Sequence, residues 1–82
     1  MGAEEEEKIL AKERELKMQA ILVRIMKGRR TEKYNELVNE AAKQIIAFEP
    51  NVQSIRRQIE YLIEGDYMIR DEKNPSILIY KP

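Results

Sequence analysis

Tyr67-Met68-Ile69-Arg70, Asp71-Glu72-Lys73-Asn74-Pro75-Ser76 and Ile77-Leu78-Ile79-Tyr80 follow one another without a break. The outer two are short runs rich in aliphatic and aromatic residues and the middle six are turn formers, so the segment predicts a β-hairpin. The hairpin decides the fold because the chain before it is patterned for helices. Val52, Ile55, Ile59, Leu62 and Ile63 recur at helical spacing, with Gln53, Arg56, Arg57, Glu60 and Glu64 facing outward. That predicts a third helix opened by Pro50 or Asn51 and ended by Gly65.

Further upstream, Leu37, Val38, Ala41, Ile45 and Phe48 form the apolar stripe of a second helix, expected from about Glu36 to Ala47 with Asn35 as its N-cap. Glu49-Pro50 closes it, since proline disfavours helical geometry at the residue before it. Lys33-Tyr34 is expected to form a single bridge of strand. A first helix should run from about Glu13 to Lys27 and stop at Gly28, with Arg29-Arg30-Thr31 as a connector. Three helices followed by a β-hairpin wing is the order of an α+β winged-helix domain. Residues 13–82 are assigned to that domain, and residues 1–12, with Glu4-Glu5-Glu6-Glu7, to a charged lead-in or linker.

Composition narrows the chemistry. The 82 residues hold no cysteine and no histidine, which excludes disulfides, cysteine-bearing zinc sites and catalysis by imidazole or thiolate. There is no glycine-rich phosphate loop and no metal-ligand spacing, so no cofactor or metal is expected. Carboxylate pairs such as Asp71/Glu72 and Glu60/Glu64 lie on a loop and on an outer helix face, with no apolar pocket to shift a pKa. A catalytic role therefore has little support. The longest apolar run, Ala20 to Val23, is too short to span a bilayer, and the sequence reads as a soluble intracellular domain.

Basic and acidic residues number 15 each, but they are unevenly spread. Arg24, Lys27, Arg29, Arg30 and Lys33 against Glu32 give residues 21–33 a net +4. Such a segment could attract an acidic protein surface or a phosphate backbone. On the first helix, Met18, Ile21, Leu22, Ile25 and Met26 share an apolar face and Lys27 falls on the opposite pole. Its neighbours there are Arg24, Val23 and Ala20. Lysine alone offers a mobile primary amine that can form an isopeptide bond, and the flanking arginines could steer an acidic donor toward it.

Ile21-Leu22-Val23-Arg24-Ile25-Met26-Lys27 resembles the I-V-R-I-M-K signature of the cullin C-terminal winged-helix domain. Asn35-Glu36-Leu37-Val38-Asn39-Glu40 is similar to that family's N-x-L-V-x-E, and Phe48-Glu49-Pro50 to its F-x-P turn. Ile59 to Asp71 resembles its I-E-x-L-I-x-x-x-Y-[LM]-x-R-D run, and Tyr80 falls where the last strand carries an aromatic. The resemblance covers about residues 13 to 80. It implies that Lys27 is the lysine modified in neddylation, with Arg24 matching the arginine inside the motif; on charge, Arg24, Arg29 and Arg30 are expected to flank it as docking residues. It also implies a scaffold arm of a cullin-RING ubiquitin ligase, not itself catalytic, in the cytoplasm and nucleus. The implied partners are the ubiquitin-like modifier, its conjugating enzyme and co-ligase, and a RING subunit. The chain departs from the family at Gly28, where methionine or serine is usual, and at its Tyr80-Lys81-Pro82 end.

Two other readings stay open. One is a nucleic-acid-binding winged helix using Arg56, Arg57 and Lys73, disfavoured because Glu60, Glu64 and Asp66 leave the third-helix segment at net −1. The other is an interaction module in which Lys27 is unmodified.

Overall fold

The structure, a computed structural model, describes residues 2–82; Met1, the start of the expected lead-in, lies outside the described residues. Its elements are α1 (Ala3–Arg29), β1 (Thr31–Lys33), α2 (Tyr34–Gln44), α3 (Val52–Glu64), β2 (Met68–Arg70) and β3 (Ile77–Tyr80). The three strands form one antiparallel sheet in the order β1-β3-β2. This is the expected winged helix, with the wing's last strand paired on both sides.

The core follows from the helical stripes. Met18, Leu22, Ile25 and Met26 of α1 meet Leu37, Val38 and Ala41 of α2 and Ile55, Ile59 and Leu62 of α3. Ile45, Met68 and Leu78 complete the cluster. Pairing of Leu78 with Glu32 and Arg70 sets the sheet register, and the alternation of strand side chains turns Leu78 and Met68 inward. Gln58 is the one buried polar residue among the described residues, and its Oε1 accepts from Gln19 Nε2 at 2.8 Å. That bond satisfies a group whose burial would otherwise cost free energy.

Helix ends show where tertiary contacts overrule local signals. α1 begins at Ala3, not near Glu13, and runs unbroken through the expected lead-in. At 27 residues it is roughly 40 Å long, and its first buried residue is Met18, so the charged N-terminal part projects beyond the core. The helix also continues past Gly28, which keeps a negative φ; the reversal falls at Arg30, with φ 72° and ψ −45°. α2 starts one residue before the expected cap: Lys33 is the N-cap, and the orphan Tyr34 N–H donates to Ser76 O at 2.8 Å in the wing. Its C-terminus is Gln44 where Ala47 was expected, because the chain leaves the helix to bury Ile45 and pack Phe48 against the core.

The third helix matches expectation more closely. Asn51 caps it, its Oδ1 accepting from Gln53 N at 2.8 Å and Ser54 N at 3.3 Å, which is typically worth about 1 kcal/mol. Asp66, at φ 64°, takes the left-handed turn that follows, whereas Gly65 has φ −82°. A Cβ at Gly65 would stand 3.1 Å from the Tyr67 ring, so glycine serves close packing there and not the turn. Aspartate tolerates the left-handed region better than most residues.

Candidate functional site

Lys27 lies in the last turn of α1, exposed, on the helix pole facing away from Met18, Leu22 and Ile25. The buried face is set by core packing, so the apolar stripe itself turns Lys27 to solvent. Four cations crowd these last two turns: Arg24, Lys27, Arg29 and Arg30. Three of them are engaged within the fold. Arg24 Nη2 donates to Gln44 Oε1 of α2 at 2.8 Å. Arg29 Nη2 donates to Glu40 Oε1 of α2, and its Nη1 lies 3.9 Å from Glu32 of β1. The Arg30 guanidinium sits over the Tyr80 ring, 5.4 Å from its centroid. Lys27 makes no salt bridge among the described residues.

The backbone fixes the same end. Arg30 N–H donates to Met26 O, and Arg30 O accepts from Tyr80 N–H, both at 2.7 Å. A positive φ at arginine is costly, and these two bonds together with the ring contact hold it. The last strand thus pins the point where the lysine-bearing helix stops.

Sequence reasoning identified Lys27, Arg24, Arg29 and Arg30 but gave the arginines only a docking role. It missed Glu40, Gln44 and Tyr80 as their partners. The i, i+4 spacing of Glu36 with Glu40 on one face of α2 was the available signal, but nothing local says that Arg29 would meet it.

Glu32 feels the crowding of carboxylates around Arg29. Burial raises its carboxyl above the ordinary 4.5, a hydrogen bond with Glu36 raises it further, Arg29 opposes, and the charges of Glu36 and Glu40 add to the rise. A folded-state value above the unfolded one means this group contributes stability below about 4.5, lost as pH rises through the folded value. Ionised Glu32 therefore weighs against the fold at neutral pH. Glu32→Gln, which does not titrate, should melt at or above the temperature of the unsubstituted chain at neutral pH, with the two converging as pH falls toward 4.5. Thermal melts across that window check it; a clearly less stable Glu32→Gln at neutral pH would contradict the raised value.

Arg57 donates to Ser54 Oγ at 3.0 Å on its own helix, while Arg56 and Lys73 are exposed on α3 and the wing loop. Arg70, the wing's other cation, binds Glu60 and donates to Pro75 O at 2.9 Å. Among the described residues, no group of histidine, cysteine, aspartate and glutamate could hold a metal, and no helix is long and apolar enough to cross a membrane.

A model of the cullin protein neddylation domain matches residues 13–74. Cullin-5 of Dictyostelium discoideum is 40% identical over 77 residues, covering 92% of this chain and 10% of the relative. Cullin-1 of Schizosaccharomyces pombe is 40% identical over 76 residues, with the same shares of each chain. Cullin-2 of Arabidopsis thaliana is 39% identical over 70 residues, covering 84% of this chain and 9% of the relative. The chain thus spans about a tenth of the length of these curated relatives. A solved structure described as "A Dual E3 Mechanism for Rub1 Ligation to Cdc53: Dcn1(P)-Cdc53(WHB)" superposes with a TM-score of 0.88 at 32% identity, covering 100% of this chain and 96% of that one.

Proposed function

The chain belongs to the cullin family, and from that premise we propose that its winged helix presents Lys27 as the acceptor of a ubiquitin-like modifier. The observation that carries this reading is the isolation of Lys27. Where each neighbouring arginine has a hydrogen-bond, ion-pair or ring partner within the fold, the Lys27 amine stands exposed with no such partner among the described residues. The neutral amine nitrogen would attack the modifier's activated C-terminal carbonyl and form an amide bond as the carbonyl–sulfur bond breaks, expelling the thiolate that carried the carbonyl and releasing the amine's proton. The domain supplies the nucleophile and no catalytic group, so the conjugating enzyme and a co-ligase do the chemistry.

In the longer protein this domain is an arm of a cullin-RING ubiquitin ligase scaffold beside a RING subunit, working in cytoplasm and nucleus. Attachment of a modifier there biases a two-state arm by a covalent change of bulk and surface, which raises ubiquitin transfer. What supports this is family membership joined to the exposed lysine.

The test is reconstituted modification with the neddylation enzymes and RING subunit of the same organism, followed by peptide mass mapping. One adduct on the peptide containing Lys27 is expected. A folded complex with no adduct, or an adduct spread over other lysines, would overturn the proposal.

A further inference from the structure

We propose that Glu40 and Gln44 of α2 are positioning residues for Lys27, acting through Arg29 and Arg24 as a clasp that keeps the last turn of α1 helical. This rests on the acceptor role proposed above and assigns the flanking arginines a different task from docking.

Gly28 lies inside that last turn. Glycine there weakens the helix, because its backbone loses more freedom on ordering than alanine's would. Neither of the usual reasons for glycine applies. Its φ is not positive, and a Cβ built on it would meet nothing within 4 Å. The turn carrying the acceptor is therefore intrinsically weaker than an alanine-bearing turn would be, although Tyr80 pins the residue that follows it. Immediately after it comes Arg30, in a backbone conformation unfavourable for an L residue.

Side chains from another element offset this. Gln44 and Glu40 are one turn apart on α2, and each takes a guanidinium from α1: Arg24 three residues before Lys27, Arg29 two residues after it. The acceptor is bracketed. Both contacts reach across sequence, 20 residues for Arg24 to Gln44 and 11 for Arg29 to Glu40, so they tie the turn to the core helix rather than to itself. With the turn wound, the Lys27 side chain leaves α1 in one direction. With it unwound, the amine samples many, and a reaction that depends on alignment slows.

The experiment pairs Glu40→Ala with Gln44→Ala and adds Gly28→Ala to that double variant. Amide exchange of residues 27–30 and the steady-state kinetics of Lys27 modification are read in the same proteins. In the double variant the amides should exchange roughly tenfold faster, the order expected for losing two exposed polar contacts. kcat should fall roughly three- to tenfold with KM unchanged, since alignment and not capture is lost. Gly28→Ala should restore both readings by stiffening the turn directly.

Unchanged exchange in the double variant would overturn the clasp. Faster exchange with unchanged kcat would overturn the positioning role. A raised KM that Gly28→Ala does not rescue would show that the α2 residues bind a partner instead. If the unsubstituted chain takes no adduct at Lys27, the acceptor reading fails and the positioning role with it, and the exchange measurement still reports separately on the clasp.

Discussion

Ile59→Ala is expected to destabilise the domain by about 2–5 kcal/mol, the range for removing a fully buried isoleucine side chain and leaving a cavity. Ile59 has no exposed surface and lies in the cluster where α1, α2 and α3 meet. A domain of this size shifts its melting temperature by ~4–8 °C per kcal/mol, so the drop should be roughly 10 °C or more. Val52→Ala on the same helix is the control. Val52 begins α3 with 47% of its surface exposed, although it shares the spacing of the buried stripe, and its loss should stay within about 0.5 kcal/mol. Urea denaturation of the two variants measures both. Equal, mild effects would mean that the α3 stripe does not form the centre of the core.

That contrast shows what periodicity can and cannot reveal. The i, i+3, i+4 pattern placed Ile55, Ile59 and Leu62 inside, yet it could not say that Val52, one turn before Ile55, would stay exposed. The hairpin was legible because its loop carries its own reasons to turn. Asp71 Oδ1 accepts from Lys73 N, Asn74 Oδ1 accepts from Ser76 N, and both bonds form within three residues. The cap at Asn51 is equally local. The boundaries that were misplaced depend on partners far along the chain. Tyr34 N–H finds Ser76 O, so α2 starts without the side-chain cap that Asn35 seemed to offer, and Gly28 stays helical although glycine after an apolar stripe usually marks a stop.

The site divides in the same way. The exposure of Lys27 follows from the residues around it, because four buried neighbours on α1 fix which pole faces solvent. The fate of the arginines does not. Arg24, Arg29 and Arg30 read as a basic patch in sequence, and a patch suggests an external anionic partner. In the fold each has an internal partner, but only Arg29 has an anionic one, the Glu32 and Glu40 pair; Arg24 bonds neutral Gln44 and Arg30 lies over the Tyr80 ring. Charge along the chain thus says nothing of which arginine is tied to carboxylates within the fold and which keeps its charge uncompensated.

Lys27→Arg should abolish modification of the domain while leaving it folded. Arginine keeps the positive charge near the C-terminal end of α1, where the helix dipole favours it, so stability should change by less than about 0.5 kcal/mol. The guanidinium is effectively always protonated and offers no free amine, so no isopeptide bond can form at this position. The two readings separate cleanly: circular dichroism melts superimpose, and the mapped adduct disappears. Lys17, Lys33 and Lys43 are exposed as well and serve as internal controls, since a reaction limited only by accessibility would simply move to them. Undiminished modification of Lys27→Arg would place the acceptor at one of these lysines. A domain that melts as early as Ile59→Ala does would mean that Lys27 is part of the packing and not presented to solvent, and the isolation from which its role is argued would be lost.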